Sequence, residues 1–600
     1  MKTRCAVLAL LGLLIAASWS CAAPAFEKAA PEDTIAFVTV RSMPAFQQHL
    51  KADALYAIWQ EPSVQKFLEK PVESLRQKLA AAEGNAGVKF DEIWSLFHGQ
   101  VALAVTSDPH GSDGSDVVLL VDVGNDGERA MKLMALIEAA SNTGPDASKE
   151  TAVEETYEGV KLIHMQPADD KGAKSGERRH TYGVAGDVLI LSDSDEAVKR
   201  TISFLKAPPE KSLATTATYQ AVLQNLSPEA DALGFVDITR VVALVQKHAA
   251  GTNGGPDPQM LQKLDTLGLT GCGGVGLSLT IGPDFDTVKL FVQTMGERKG
   301  LLKIFSPAPG ELHSGAEAPA DAATFLSVRF DPAGIYEEFE KMLNRTNPQQ
   351  MVALNSLMDA AAKRIGEPFN LRNDVLSVFG PRLAAYSRYE QQARPDAKQQ
   401  VVFMIDIVNK AAFTVMWDKL NKVSPEFFAQ FQAREYLGQQ MYVFAPPGQP
   451  QPPPQGQSQP AFVATDREFI FSPTVEALQA HLRRMNANGP TLCDQPIFQE
   501  GLKTIPADGR VMFGFEDRSR QVEYVLKAIK DGDFAAVATA LRQEASAAEF
   551  LDQFDLTLLP DVADITKHLS PSVCCAVVQP EGLMLMWRSR TAPQKTEPEK

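Results

Sequence analysis

A segment of fifteen residues occurs twice in this chain, and the repeat constrains the fold more than any other feature of the sequence. The first copy begins at Pro31 and reads PEDTIAFVTVRSMPA, and the second begins at Pro319 and reads PADAATFLSVRFDPA. Seven of the fifteen positions are identical, whereas chance at average composition gives roughly one match. We therefore expect a chain that arose by duplication.

Further matches follow the repeated segment at a nearly constant offset. Residues 117–125 align with 401–409, and residues 234–237 align with 514–517. The offset stays near 280–288 residues, which is longer than the period of any solenoid repeat. The sequence therefore predicts two related domains in tandem rather than an array of small repeats.

These matches set the predicted domain boundaries. Residues 1–25 are expected to be a signal peptide, and residues 26–298 the first repeat domain. A linker rich in Pro, Gly and small residues is predicted at 299–318. The second repeat domain then covers 319–589, and residues 590–600 are expected to be a disordered tail.

Alternating and amphipathic patterns predict the fold class. Residues 34–41 alternate and are β-branched, as in a strand, and Asp331 precedes Pro332 as an N-cap precedes a helix. Residues 157–165 and 181–192 are each predicted to be a strand. The order of elements resembles a split β-α-β unit. We predict an α+β fold with two tandem duplicated domains, each a mainly antiparallel sheet with helices packed on one face.

The N-terminal residues indicate export. A short basic start precedes the apolar run CAVLALLGLLIAA, which is too short to span a bilayer but suits a signal peptide. Small residues then offer cleavage sites. Cys21 is a candidate for lipid attachment, although the residue three positions before it is Ser18 rather than Leu, Val or Ile. We expect a periplasmic or envelope-associated protein, with lipidation and simple cleavage both open.

Charge and hydropathy exclude several classes of partner. The net charge of −16 argues against nucleic acid, whose phosphates require a basic surface. It also argues against charge-driven docking on anionic lipid. No later stretch reaches the roughly 18 uncharged apolar residues of a membrane helix, so no transmembrane helix is expected in the mature chain. The expected partner is an unidentified envelope protein or ligand.

The sequence predicts no cofactor and no metal ligands. Residues 271–276 fit the spacing GxGxxG, but a dinucleotide fingerprint must follow a strand and open a helix, and here the glycines precede a predicted strand. Asp108, His110, Asp113 and Asp116 could hold a cation, although polar turn residues explain that loop equally well.

Four cysteines follow the predicted signal peptide and are expected to be mainly buried thiols. They are Cys272, Cys493, Cys574 and Cys575. Their number and spacing fit neither a disulfide framework nor a zinc module, and their disulfide state stays open.

Charged residues that occur in both copies are the candidates for buried ion pairs. They are Arg41, Asp122 and Asp237 in the first copy and Arg329, Asp406 and Asp517 in the second. Each aspartate lies in an apolar strand, where an unpaired charge costs several kcal/mol. We expect each arginine to meet one of the two aspartates of its own copy. A ligand-binding role for the carboxylates is the alternative.

The chain resembles a family of exported bacterial proteins that carry domain of unknown function 3352. The resemblance rests on the signal peptide, on the opening Pro-x-Asp-x-x-x-Phe, and on the aromatic-glycine steps at 97–99 and 379–380. It implies an envelope protein and supplies no catalytic residues.

Two functions from different classes follow from the sequence. The first is a non-catalytic binding or scaffold protein built from two related halves. The alternative is an exported hydrolase whose site is assembled from distant residues, since no short catalytic motif occurs. A pocket that gathers a histidine, a carboxylate and a nucleophile in one copy would favour the hydrolase.

Overall fold

The structure is a computed structural model, and it describes eleven stretches of the chain. They are residues 25–86, 89–107, 115–141, 150–167, 180–249, 258–298, 300–304, 310–389, 400–446, 459–530 and 554–591. The predicted signal peptide with Cys21, the loop at 108–114 and nearly all of the predicted tail lie outside these ranges.

The chain forms two compact units, neither of which is continuous in sequence. Unit 1 consists of Met1–Gln48, Ser74–Val241 and Gly274–Ser278. Unit 2 consists of His49–Glu73, Val242–Gly273 and Leu279–Lys600.

Twenty strands are described. In chain order they are β1 Thr34–Val40, β2 Val101–Ser107, β3 Ser115–Asp122, β4 Glu150–Tyr157, β5 Val160–Pro167, β6 Thr181–Ala185, β7 Val188–Ser192, β8 Ala232–Asp237, β9 Cys272–Ile281, β10 Phe285–Thr294, β11 Thr324–Arg329, β12 Phe379–Arg388, β13 Gln400–Ile407, β14 Phe431–Tyr436, β15 Gln439–Phe444, β16 Ala461–Ala464, β17 Glu468–Ser472, β18 Arg510–Glu516, β19 Ser572–Gln579 and β20 Gly582–Arg590.

The described α-helices connect these strands. In chain order they are α1 Phe26–Ala29, α2 Met43–Ala52, α3 Ala54–Trp59, α4 Pro62–Phe67, α5 Glu69–Ala86, α6 Phe90–Trp94, α7 Gly127–Ser141, α8 Asp195–Lys206, α9 Ala217–Leu223, α10 Ile238–Ala249, α11 Pro258–Leu267, α12 Leu301–Ile304, α13 Pro332–Thr346, α14 Pro348–Ile365, α15 Leu371–Asp374, α16 Lys410–Val423, α17 Pro425–Phe428, α18 Val475–Ala487, α19 Pro496–Lys503, α20 Arg518–Lys530 and α21 Val562–Thr566. Within the described ranges, no helix combines the length and apolar character needed to cross a bilayer.

Unit 1 contains an antiparallel sheet in which β1 is a central strand. The order of pairing is β4-β5-β6-β7-β3-β2-β1-β8. Phe37 on β1 lies opposite Ala104 on one side and Phe235 on the other. All three side chains are buried, so one face of these strands contributes to the core.

Unit 2 contains an antiparallel sheet in which β11 is flanked in the same way. The order of pairing is β14-β15-β16-β17-β13-β12-β11-β18-β19-β20-β10. Phe325 on β11 lies opposite Tyr386 and Phe515. Helices and antiparallel sheet together make an α+β protein, as the sequence predicts.

Two segments that were each predicted as one strand differ in the structure. Residues 181–192 form the hairpin β6–β7, whose turn contains Gly186 at a φ of 61°. The strand predicted at 157–165 is the second half of the hairpin β4–β5, and its turn contains Glu158 and Gly159 at φ of 47° and 76°. Positive φ suits glycine and the tight hairpin turn. Both turns place a glycine beside a charged residue, Glu158-Gly159 and Gly186-Asp187, so the sequence did contain the signal for them.

Helix ends follow the predicted capping chemistry. The Asp331 side chain accepts a hydrogen bond from the Gly334 amide at 3.0 Å, and Pro332 takes the first helical position of α13. Ser194 and Thr474 cap α8 and α18 in the same manner. These caps satisfy amide donors that the first turn of a helix leaves free.

Helices pack on each sheet and close an apolar core. In unit 1 the core includes Leu96, Val121, Val123, Ala130, Leu133 and Leu189. In unit 2 it includes Val378, Ile407, Phe413, Met416, Phe462 and Ala464. Trp417 packs against this second core and makes an edge contact with Phe462 at 4.8 Å between ring centroids. Such aromatic contacts add to the stabilisation from buried area.

The GxGxxG segment enters a strand and does not open a helix. Its last five residues lie in β9, and a Cβ at Gly276 would be 2.2 Å from Val222 Cγ1. Glycine here allows α9 to approach the strand closely. Cys272, which lies between these glycines, and the other three described cysteines are free thiols.

Candidate functional site

A buried histidine lies among three carboxylates in unit 2. His313 precedes β11, and its side chain is 1% exposed. Its Nδ1 is 2.9 Å from Glu317 Oε1 and 4.0 Å from Glu468 Oε1, while its Nε2 is 3.4 Å from Asp406 Oδ1. We call His313, Glu317, Asp406 and Glu468 the histidine–carboxylate cluster.

The sheet fixes two of the carboxylates side by side. Asp406 near the end of β13 pairs directly with Glu468 at the start of β17. Opposed residues of an antiparallel pair project from the same face and approach within about 5 Å. Gly380 lies on the neighbouring strand β12. A Cβ at this position would be 2.6 Å from Asp406 Cβ, so any larger residue would clash with the aspartate.

An arginine on the neighbouring strand orients Asp406. Arg382 Nε donates to Asp406 Oδ2 at 2.7 Å, and Nη2 donates to Oδ1 at 3.3 Å. This two-point contact fixes the plane of the carboxylate. It leaves Oδ1 directed toward His313.

Burial and charge shift the pKa values within the histidine–carboxylate cluster. Burial disfavours the imidazolium of His313, but Asp406 and Glu317 outweigh it and raise its pKa to about 9. Burial opposes ionisation of Asp406 too, yet contact with His313 and Arg382 lowers its pKa. The pKa of Glu468 is raised, because burial is the largest effect on it.

Two atoms of the histidine–carboxylate cluster are poorly satisfied. Within the described ranges, Nε2 of His313 has no hydrogen-bond partner, although Asp406 Oδ1 lies 3.4 Å from it as an ion-pair partner. Likewise, among the described residues the Glu468 carboxylate has no cationic nitrogen nearer than His313 Nδ1 at 4.0 Å, although its side chain is only 16% exposed. Buried polar groups normally have partners, so this arrangement requires an explanation.

In the first copy, Arg41, Asp122 and Asp237 each contact a partner other than the predicted one. Arg41 Nη1 donates to the carbonyl of Pro228 at 2.8 Å. Asp122 accepts from the Gly124 amide at 3.0 Å, and Asp237 pairs with Arg240 Nε at 3.3 Å. Because Arg240 follows Asp237 by only three residues, this pair forms within one segment and does not depend on the position of a distant strand.

In the second copy, Asp406 and Asp517 each pair with an arginine other than Arg329. Arg329 is buried and donates to the carbonyl of Glu311 at 2.9 Å. Asp517 pairs with Arg520 at 3.0 Å, and Asp406 pairs with Arg382. An arginine three residues after the aspartate occurs in both copies of the sequence, and that spacing is the signal that could have indicated these pairs.

Unit 1 replaces the ionic residues of the histidine–carboxylate cluster. In register, Val188 lies opposite Asp122 where Glu468 lies opposite Asp406. Gln100 precedes Val101 as Arg382 precedes Leu383, and it donates to Thr39 Oγ1 at 2.9 Å. The two units therefore differ at these corresponding positions of the sheet.

Unit 2 also contains an apolar cavity of about 400 Å³. Its walls are formed mainly by Ile304, Phe330, Pro332, Ile335, Phe339 and Met342. Glu338 also lines the cavity, and its carboxylate is bound by Lys303 at 2.7 Å and by Lys341 at 3.0 Å. The negative charge of Glu338 is thus neutralised by two lysines of the protein itself.

Sequence reasoning missed both features. His313 and Glu317 lie in the segment predicted to be a linker, and the other two carboxylates are more than 80 residues away in sequence. The spacing of four residues between His313 and Glu317 is the only local signal. The cavity depends on how α11, α12 and α13 pack, which no local pattern specifies.

Comparisons with known proteins give a family and a few solved structures. No match was found among the curated proteins. Two solved structures similar to the chain are described as "Structure of crystal form I of TP0453" and "Structure of crystal form IV of TP0453". The first has 7% sequence identity and a TM-score of 0.23, and covers 49% of this chain and 89% of that chain. The second has 8% identity and a TM-score of 0.24, and covers 49% of this chain and 90% of that chain.

Residues 3–274 match the family described as "Protein of unknown function (DUF3352)", which confirms the resemblance predicted from the sequence over that part of the chain.

Proposed function

We propose that this chain is an exported, non-catalytic binding protein of the cell envelope and that unit 2 binds a neutral apolar ligand. The observation that carries the proposal is the cavity of about 400 Å³ with apolar walls. Its volume falls within the range of about 300–1,000 Å³ that is typical of small-molecule sites. A scaffold without a ligand has no need of such a space.

The contacts around the cavity favour a neutral ligand over an ionic one. Glu338, the only charged residue of the described lining, already binds Lys303 and Lys341. A charged ligand would have to break these pairs and lose its own hydration. The Tyr336 hydroxyl and the Thr266 side chain offer polar contacts to an uncharged group.

The sheet pairings support the proposal that the two halves arose by duplication. In each half the first strand lies between two equivalent strands, and the order of the next six strands is the same. Isolated bridges also correspond, with Pro31 opposite Ser212 and Pro319 opposite Thr491. We therefore propose that unit 2 gained a ligand site on a framework shared with unit 1.

Export is proposed from the N-terminal sequence alone. The basic start and the short apolar run are the features of a signal peptide. We propose a periplasmic or envelope-associated location, which would bring the protein close to lipids and their apolar precursors. The hydrolase alternative needs a nucleophile beside a base, and the polar contacts of His313 in the described part of the chain are carboxylates.

Titration with a neutral fluorescent probe, N-phenyl-1-naphthylamine, tests the binding function. We expect the purified mature chain to bind the probe saturably with a stoichiometry of one. Ile335→Trp would fill the cavity and should weaken binding at least tenfold. The matched control is Val352→Trp on α14, because Val352 is 65% exposed and does not line the cavity.

A second variant tests the same cavity in case Ile335→Trp does not fold. Phe339 is 42% exposed, so Phe339→Glu places a charge at the cavity wall without burying it fully. It should weaken probe binding while the thermal melt stays close to that of the parent protein. Equal probe affinity in the parent, Ile335→Trp and Phe339→Glu proteins would overturn the proposal.

A further inference from the structure

We propose that His313, Asp406 and Glu468 form a binding site for a divalent transition metal ion, with Zn²⁺ as the expected ion. Their potential ligand atoms all lie within 4.8 Å of one another. The three residues come from the segment before β11, from β13 and from β17, so the fold of unit 2 assembles the site. This inference is independent of the apolar cavity.

Distances in the histidine–carboxylate cluster suit a tetrahedral ion. Zn²⁺ binds His nitrogen and carboxylate oxygen at about 2.0–2.2 Å, so two tetrahedral ligands lie about 3.3–3.6 Å apart. His313 Nε2 and Asp406 Oδ1 are 3.4 Å apart. Glu468 Oε1 lies 4.0 Å from His313 Nδ1, so its side chain must turn toward Nε2 to complete the site, within the 4.8 Å that spans the three ligand groups.

A buried nitrogen of this cluster that lacks a hydrogen bond is an independent sign of a ligand. His313 Nε2 is buried and, among the described residues, has no hydrogen-bond partner. The Glu468 carboxylate is mostly buried and has no close cation in the same part of the chain. A self-sufficient ion-pair cluster would satisfy both groups, whereas a metal ion between them satisfies both at once.

Neighbouring residues bind the proposed ligands by hydrogen bonds, as is usual around metal sites. Glu317 contacts His313 Nδ1 at 2.9 Å and so holds the Nδ1 proton, while an ion would bind Nε2 in exchange for the proton on that nitrogen. Arg382 binds Asp406 mainly through Oδ2 and leaves Oδ1 facing the histidine. Hydrogen bonds of this kind fix the ring orientation and the tautomer.

The ligand set selects the class of ion. One imidazole and two carboxylates suit Zn²⁺ better than Mg²⁺ or Ca²⁺, which prefer oxygen alone. Cu²⁺ prefers a tetragonal arrangement, which three converging ligands from two strands and one loop do not provide. Three protein ligands would leave one coordination position open for water or for a partner's side chain.

Calorimetric titration of the full mature chain with Zn²⁺, after dialysis against a chelator, tests the proposal. We expect one ion bound per chain and a rise in the melting temperature. Glu468→Gln should weaken Zn²⁺ binding at least tenfold, and His313→Gln should weaken it further. Co²⁺ in place of Zn²⁺ should give the visible absorption of a tetrahedral complex in the parent protein and not in the variants.

His110→Ala is the matched control, because His110 belongs to the other acidic, histidine-containing stretch of the sequence, at 108–116. This variant should bind Zn²⁺ like the parent protein. Glu468→Gln changes no side-chain size, and its melt without metal reports whether it folds. Failure of the parent chain to bind Zn²⁺, unchanged binding in Glu468→Gln, or loss of binding in His110→Ala would each overturn the proposal.

Discussion

Arg382 binds Asp406 through two hydrogen bonds, from Nε to Oδ2 at 2.7 Å and from Nη2 to Oδ1 at 3.3 Å. The same aspartate also faces the buried His313. Asp406 therefore contacts both His313 and the neighbouring Arg382. Removing its charge leaves an arginine and a histidine without their shared partner.

We predict that Asp406→Asn lowers the free energy of unfolding by about 2–3 kcal/mol, because breaking a buried ion pair costs more than the pair contributes. Urea unfolding followed by circular dichroism measures this loss. Asp122→Asn in unit 1 is the matched control. Asp122 accepts from the Gly124 amide, so its loss should cost about 1 kcal/mol or less. Equal losses in the two variants would contradict the prediction.

The sequence predicted the α+β class and the strand β1, because alternation and capping are local signals. Asp331 before Pro332 marked the start of α13 directly. The turns at Gly186 and Gly159 were missed although each glycine lies beside a charged residue, a pattern typical of hairpin turns.

The histidine–carboxylate cluster could not be predicted, because its members meet only after β13 pairs with β17 and the preceding segment packs beside them. Local spacing does report Asp237 with Arg240 and Asp517 with Arg520. Distant pairing depends on strand order and register, which a single sequence does not determine.

Substitution of Gly582 tests the pairing of β20 with β10. A Cβ at this position would lie 2.2 Å from the carbonyl oxygen of Val292, and backbone cannot move as a flexible side chain can. Gly582→Ala should therefore lower the free energy of unfolding by about 1–3 kcal/mol. Gly84→Ala on α5 is the control, since a Cβ there meets nothing within 4 Å. That substitution should stabilise the chain by about 0.5–1 kcal/mol in the same denaturation assay.

Leu437 occupies a strained position in the hairpin turn between β14 and β15. Its φ is 53°, and its side chain is 49% exposed, so it loses little packing on replacement. Leu437→Asn should raise the free energy of unfolding by about 0.5–1 kcal/mol, because Asn-Gly suits a turn with two positive φ angles. Thermal unfolding of the two proteins measures the change. Leu437→Val should have the opposite effect, since a β-branched residue is the least suited to this backbone.

His481 makes the stability of unit 2 sensitive to acid. Burial, with a smaller effect of Arg484, lowers its pKa to about 3, and Tyr386 lies 2.9 Å from its Nδ1. The unfolded chain takes up a proton near the ordinary pKa of about 6.5, whereas the folded chain does not. The contribution of neutral His481 to the free energy of unfolding is therefore fully present above about pH 6.5 and is lost as the pH falls toward about 3.

His481→Gln removes this titration and should flatten the stability profile. Between pH 7 and pH 4.5 the parent protein should lose about 2–3 kcal/mol more than the variant, measured by urea unfolding at each pH. His98→Gln is the control, because His98 is 47% exposed beside Asp126. Its profile should follow that of the parent protein. A His481→Gln profile parallel to that of the parent would show that this buried imidazole does not determine the acid sensitivity of the chain.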